Sequence, residues 1–175
     1  MLNMVIIAIV VIVAVVLALA AGKPDVFRVE RSANIKAPAD KVFALINDFH
    51  NWPAWSPWEK LDPAMQRTYS GAARGVGAGY AWEGNKQVGK GSMEIMESSP
   101  TTKISIKLDF FLPFEAHNTA EFTMQTHGDL TSLTWAMYGP SPFMMKLMHV
   151  FMPMDRMVGK DFEEGLNNLK TIAER

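Results

Sequence analysis

The sequence predicts an α+β domain in which a curved antiparallel sheet of seven strands wraps around one long C-terminal helix, with a membrane-spanning helix in front of it. Three observations support this prediction. The N-terminal run is apolar and uncharged, the middle of the chain alternates apolar and polar residues with a period of two, and the last stretch carries an apolar stripe at helical spacing. These observations divide the chain into an anchor, residues 1–22, and one domain, residues 23–175.

The anchor is predicted from the run between Met4 and Ala21, in which every residue is apolar and after which Lys23 is the first charge. A helix over residues 4–21 would be about 27 Å long, close to the hydrocarbon thickness of a bilayer. A cleaved secretory signal is the alternative, because "ALAAG" offers a cleavage site, and it would place the domain outside the cell. A secretory signal requires basic residues before its apolar run, and no lysine or arginine precedes the apolar run here. We therefore expect an uncleaved anchor in a lipid bilayer.

The charges that follow the anchor predict its orientation. Lys23, Arg28, Arg31 and Lys36 come shortly after the apolar run. The positive-inside rule then places the C-terminal domain in the cytoplasm.

Composition excludes several function classes. The net charge is -1 without a basic run, so we expect no nucleic-acid partner. The chain has no cysteine, and its four histidines lack metal-ligand spacing, so we predict no metal. The glycine stretch "GVGAGY" (75–80) lacks the third glycine of a dinucleotide loop and precedes a strand, so we predict no cofactor.

The domain begins with strand composition at 26–35 and a short helix within "KAPADKVFALI". Pro38 suits the first turn of that helix, and Asp40 favours its positive end. Six further strand signals follow a tryptophan-rich segment, at 66–71, 80–85, 88–98, 102–111, 115–126 and 130–138. Alternation within them, as in Ile104, Ile106 and Leu108, predicts an antiparallel sheet with one covered face.

The chain closes with two helical stretches, 141–152 and 153–175, separated at Pro153. The second has the apolar stripe that covers the sheet, formed by Val158, Phe162, Leu166, Leu169 and Ala173. Gly159 and Gly165 lie near this stripe and cost about 1 kcal/mol each relative to alanine. Either a close approach of the helix to the sheet or space for a ligand would offset that cost. The methionine-rich stretch 141–152 is apolar nearly all round, and we interpret it as a lid over a cavity, as a surface resting on lipid, or as plain core.

The order of these elements resembles the START/polyketide cyclase superfamily, also called SRPBCC or birch-pollen-allergen-like. The matching stretches are "ANIKAPADKVFALINDFHNWPAWSPWEK", "GAARGVGAGYAWEGN", "LTWAMYG" and "VGKDFEEGLNNLK". The resemblance covers the chain from about residue 26 to its end and implies a helix-grip fold with a cavity between the sheet and the long helix. Members bind lipids, sterols, quinones or polyketides, while some catalyse cyclisation or dehydration and others regulate chaperones.

The segment "NWPAWSPWEK" (51–60) places Trp52, Trp55 and Trp58 three residues apart, and its prolines favour a 3₁₀ or extended turn over an α-helix. We expect Trp52 and Trp58 to plug the end of the core and Trp55 to contact a ligand. Further residues are expected to contact a ligand because they face inward in their strand or helix, are aromatic, or belong to the methionine cluster. The expected ligand-binding set is Trp55, Tyr80, Trp82, Phe110, Asn118, Phe122, Trp135, Met137, Met144, Met148, Asp155 and Phe162.

These observations predict a membrane-anchored binding protein for a hydrophobic or amphipathic small molecule such as a lipid, a quinone or a polyketide-like compound. The first alternative is a cyclase or dehydratase, for which Asp155, Tyr80, Asn118 and Arg31 supply the polar candidates. Only Asp155 and Tyr80 among them exchange protons readily. We assign no catalytic residue. The second alternative is an interaction module that docks a protein partner, as chaperone regulators do.

Overall fold

Seven strands form one antiparallel sheet in the computed structural model of the chain, which describes residues 1–175. The spatial order of the strands is β1-β7-β6-β5-β4-β3-β2, so the first strand closes against the last and every other neighbour is a hairpin partner. Their bounds are β1 Val26–Ile35, β2 Gln66–Gly71, β3 Ala78–Glu83, β4 Lys90–Ser99, β5 Lys103–Leu112, β6 Ala116–His127 and β7 Leu130–Pro140. The predicted fold class is confirmed, with strand ends within two residues of the sequence prediction.

Four α-helices and two 3₁₀ helices accompany the sheet. They are α1 Leu2–Ala21, α2 Ala39–Ile46, the 3₁₀ helices Phe49–Ala54 and Pro57–Lys60, α3 Phe143–Phe151 and α4 Met154–Ala173. Pro38 caps the N-terminus of α2, one position before the helical turn predicted for it. Pro153 caps α4 and separates it from α3 as predicted, because proline has no N–H to continue a helix.

Helix α4 covers one end of the sheet, mainly against β1. Its predicted stripe is buried except for Val158, which is partly buried, and Phe162, Leu166 and Leu169 join one core cluster with alternate residues of the strands. The two glycines of α4 allow a close approach and do not line a void. A Cβ at Gly165 would lie 2.8 Å from a ring carbon of Trp135, and a Cβ at Gly159 would lie 2.2 Å from a guanidinium nitrogen of Arg31.

Helix α1 is the one helix that is long and apolar enough to cross a membrane. Its side chains are exposed along most of its length, but Ala20 near its C-terminal end is fully buried. Helix α1 contacts α3, and the linker between α1 and β1 is tied to α3 by an ion pair between Asp25 and Lys146.

Candidate functional site

A cavity of about 190 Å³ lies between the concave face of strands β3 to β7, the 3₁₀ helices and α4. Fourteen of its 16 lining residues are hydrophobic. The lining consists of Trp52, Ser56, Trp58, Glu59, Met65, Tyr80, Trp82, Val88, Met93, Leu108, Phe110, Ala120, Trp135, Met137, Val158 and Phe162. Two polar residues, Ser56 and Glu59, interrupt a wall that is otherwise aromatic and aliphatic.

The tryptophan-rich segment forms part of this wall because α2 ends directly above it. The last carbonyls of a helix have no partner within the helix, and two indoles bind them here. Trp52 Nε1 donates to the carbonyl of Ile46 at 3.0 Å, and Trp55 Nε1 donates to the carbonyl of Leu45 at 3.0 Å. The segment therefore packs against the C-terminus of α2 and the sheet beneath it.

The three tryptophans have different positions from those expected. Trp52 and Trp58 line the cavity, whereas Trp55 is fully buried outside it, between Trp52, Phe122 and Trp135. The chain does not form one continuous helix here. Trp55 ends the first 3₁₀ helix and Ser56 has extended backbone before the second, so the three tryptophans do not share one face.

Trp135 forms the floor of the cavity. Its ring stacks on Phe162 with ring centroids 4.2 Å apart and planes 6° apart, and on Phe122 with ring centroids 5.0 Å apart. Its Nε1 is the one buried side-chain polar atom in the structure without a hydrogen-bond partner. Most buried polar groups are paired, and the indole N–H of Trp135, a residue that lines the cavity, is an exception.

Glu59 is the charged group of the cavity, and sequence reasoning missed it. Its side chain is 5% exposed. One carboxylate oxygen accepts from the hydroxyl of Tyr80, and the other accepts from Nε of Arg67 at 2.7 Å. A buried charge is costly unless it is paired and hydrogen-bonded, and Arg67 supplies that pairing from the edge of the site.

The Glu59 cluster changes the protonation of its partners. Burial raises the pKa of Tyr80, and the hydrogen bond to the Glu59 carboxylate raises it further. The same carboxylate raises the pKa of Arg67. Tyr80 is therefore a neutral hydrogen-bond donor and Arg67 a cation at physiological pH.

Six of the twelve residues expected from the sequence line the cavity, namely Tyr80, Trp82, Phe110, Trp135, Met137 and Phe162. The others lie outside it. Besides Trp55, Phe122 is covered in the core and Asn118 packs beside Gly139 on the sheet. Met144 and Met148 are exposed on α3, which does not line the cavity, so α3 is not a wall of the site.

Asp155, the last of these six, also lies outside the cavity. Arg31 binds it through two bonds, Nη1 to Oδ1 at 2.7 Å and Nη2 to Oδ2 at 3.0 Å, and binds Glu163 through Nε at 2.7 Å. The hydrogen bond from Arg31 lowers the pKa of Asp155. These ion pairs fasten α4 to β1 at the surface and supply no acid or base to the cavity.

Nothing in the structure groups three or more histidine, aspartate or glutamate side chains so that they could hold a metal ion. The polar groups of the cavity are suited to hydrogen bonding. Trp135 carries an unpaired buried N–H, and Glu59 accepts hydrogen bonds from Tyr80 and Arg67.

Comparison with known proteins places this architecture in context. Residues 26–174 match the model of a family described as "Polyketide cyclase / dehydrase and lipid transport". No curated protein matches the chain.

Several solved structures share the fold. Protein CV1439 from Chromobacterium violaceum is 15% identical, with a TM-score of 0.60, and the match covers 87% of this chain and 99% of that one. The di-domain ARO/CYC StfQ from the steffimycin biosynthetic pathway is 12% identical with a TM-score of 0.66, covering 85% and 51%. The major latex-like protein 151 from Panax ginseng is 13% identical with a TM-score of 0.60, covering 86% and 99%. At these identities the likeness establishes the fold alone.

Proposed function

The chain belongs to the polyketide cyclase / dehydrase and lipid transport family, and from this premise we propose that its cavity binds a small, mainly apolar molecule. The observation that carries the proposal is the cavity itself, about 190 Å³ with 14 hydrophobic residues among the 16 that line it. Burial of apolar ligand surface contributes about 25 cal/mol per Å².

The volume limits the size of the guest. An engineered protein cavity of about 150 Å³ lined by apolar side chains binds benzene, whereas pockets for drug-sized ligands are about 300–1,000 Å³. A cavity of about 190 Å³ therefore suits one substituted ring or a short length of acyl chain. A longer lipid, quinone or polyketide-like molecule would enter with one end only.

The polar atoms of the wall indicate the chemistry of that end. The buried N–H of Trp135 lacks a partner, and leaving such a group unpaired costs about 1–3 kcal/mol. A guest with a carbonyl or ether oxygen would pair it. The preferred ligand of the cavity is then an apolar body with one acceptor oxygen.

The expected ligand-binding residues that lie outside the cavity do not contact the guest in this proposal. Trp55 and Phe122 support the lining tryptophans from behind, while Asn118, Asp155, Met144 and Met148 do not touch the guest in its final position. The binding set becomes the lining residues, with Ser56, Glu59 and Trp135 as its polar contacts.

The anchored arrangement is part of the proposal. Helix α1 has the length and composition of a membrane span, and the domain would follow it on the cytoplasmic side, as the positive-inside rule predicts from Lys23, Arg28 and Arg31. Residues 1–22 then form the anchor and residues 23–175 the ligand-binding domain. An apolar guest would reach the cavity from the adjacent bilayer.

Ligand binding is tested with a matched pair of probes on the full chain in detergent micelles. Acetophenone carries an acceptor oxygen, and cumene has the same number of heavy atoms without one. We expect both to raise the melting temperature of the protein, acetophenone more strongly. Ala120→Leu, which inserts a larger side chain into the cavity wall, should remove both effects. If neither probe changes the melting temperature of the unmodified protein at saturation, the binding function is wrong.

A second candidate function is favoured by Glu59. A carboxylate hydrogen-bonded to a neutral tyrosine within an apolar cavity can act as a general base, and it suits a cyclase or dehydratase acting on a polyketide-like substrate. Loss of water from a poly-β-ketone thioester, followed by mass spectrometry, tests this activity. Equal rates with the unmodified chain and with Glu59→Gln would remove Glu59 from any reaction. Docking of a protein partner stays a prediction.

A further inference from the structure

Helix α3 has its apolar and polar sides reversed relative to a helix on a soluble domain. One face carries Met144, Met148 and Phe151, and together with Met152, which follows directly after the helix, we call these residues the α3 stripe. Their exposed fractions are 68%, 40%, 70% and 54%. A surface helix ordinarily turns its apolar stripe to the core and its polar residues to water.

The polar residues of α3 face the protein. Lys146 is buried and pairs through Nζ with Asp25 in the linker that follows α1. His149 contacts the edge of Phe27, with ring centroids 6.1 Å apart, and burial lowers its pKa. The helix thus directs its two ionisable side chains inward and its large apolar ones outward.

The surroundings of α3 indicate what lies against the stripe. Helix α3 contacts α1, and burial on α1 is confined to its C-terminal end, at Ala20. A helix of 20 residues is about 30 Å long, the thickness of a bilayer's hydrocarbon core. Helix α3 therefore packs near the end of the span, at the depth where the hydrocarbon meets the headgroups.

We infer that α3 is an interfacial helix whose stripe lies in the bilayer surface beside α1. Interfacial helices bury an apolar face about 5–10 Å into the headgroup boundary, and four large side chains supply that face here. The inference rests on the proposed anchoring by α1. It adds a second membrane contact, which fixes the orientation of the domain and of its cavity relative to the lipid.

Lipid is favoured over a protein partner because the apolar surface is continuous. Helix α3, which carries the stripe, contacts α1, nearly all of whose side chains are exposed and apolar. A partner that covered α3 alone would leave that neighbouring surface in water, whereas a bilayer covers both. The alternatives, a second copy of the chain or another protein, are outcomes of the test below.

The chain has no cysteine, so single cysteines can be labelled without background. We would place an NBD fluorophore at Met144→Cys on the stripe, at Val10→Cys within α1, and at Met96→Cys, an exposed methionine on β4. The full chain is reconstituted in nanodiscs of phosphatidylcholine and phosphatidylglycerol that contain doxyl-labelled lipid.

We expect shallow doxyl lipids to quench the label at position 144 severalfold more than the label at position 96, and deep doxyl lipids to quench the label at position 10. Equal, weak quenching at positions 144 and 96 while position 10 is quenched would overturn the interfacial helix and leave the anchor intact. No quenching at position 10 would overturn the anchor and the inference with it. A label at position 144 that is shielded from water but not quenched would identify a protein occupant and also overturn the inference.

Discussion

The indole of Trp135 and the phenyl ring of Phe162 stack with planes 6° apart and centroids 4.2 Å apart, which joins β7 to α4 at the floor of the cavity. Gly165 makes this approach possible, because a Cβ there would lie 2.8 Å from the Trp135 ring. The pair holds one buried N–H beside an apolar space. The account of ligand binding depends on that arrangement.

Replacing Trp135 by phenylalanine keeps an aromatic ring on Phe162 and removes the N–H. We expect Trp135→Phe to weaken acetophenone binding about tenfold, the equivalent of one hydrogen bond, and to leave cumene binding nearly unchanged. Isothermal titration calorimetry with both probes measures the difference. Equal losses for the two probes would mean that the ring, and not its N–H, was responsible.

Replacing Glu59 by glutamine removes the charge that Arg67 pairs with in a largely buried position. Breaking such a pair is strongly destabilising, and because Arg67 remains partly exposed we expect a loss of about 3 kcal/mol in the free energy of unfolding, at the low end of the usual range. Glu83→Gln is the matched control, since Glu83 forms an exposed ion pair with Lys90 and should cost less than about 1 kcal/mol. Urea denaturation of both variants checks this, and similar losses would contradict the assigned burial.

The raised pKa of Tyr80 predicts a pH dependence at alkaline pH. The folded state holds the tyrosine proton more tightly than the unfolded state, so this contribution to stability is fully present below about pH 10, the ordinary tyrosine pKa, and is lost as pH rises above it. Tyr80→Phe should lose stability less steeply above pH 10 than the unmodified chain. Parallel stability curves for the two proteins would rule out this contribution of Tyr80.

Gly159 makes room for the guanidinium of Arg31, which binds Asp155 and Glu163. Gly159→Ala alone should therefore fail to stabilise α4, although alanine is favoured over glycine by about 1 kcal/mol in a helix interior. In an Arg31→Ala background the same change should stabilise by up to about 1 kcal/mol. A double-mutant cycle by chemical denaturation measures the coupling, and additive effects would exclude the proposed steric conflict.

The fold was predictable because it depends on local patterns. Alternation such as Ile104, Ile106 and Leu108 marked the covered face of a strand, and each of these residues is buried. The stripe on α4 marked the helix that covers the sheet, and prolines marked its start.

The site was predictable only in part. The alternation of residues along a strand tells which face of the sheet a side chain is on, but not what packs against that face. Phe122 and Trp135 both point inward and are neighbours across β6 and β7, yet only Trp135 reaches the cavity. Glu59 lies in a four-residue 3₁₀ helix, too short to show a periodicity that would mark it as buried. Trp55 and Trp58 were misplaced relative to one another because the extended residue Ser56 between them left no signal in the spacing.

The central claim is tested most directly by the indole ¹H–¹⁵N signals of the protein labelled at its five tryptophans. On addition of acetophenone we expect the Trp135 signal to move to the position of a hydrogen-bonded indole. The signal of Trp55, which already donates to the carbonyl of Leu45 outside the cavity, should stay in place. Five signals that remain unmoved up to saturating acetophenone would contradict the account, because the cavity would then accept no guest at the Trp135 N–H.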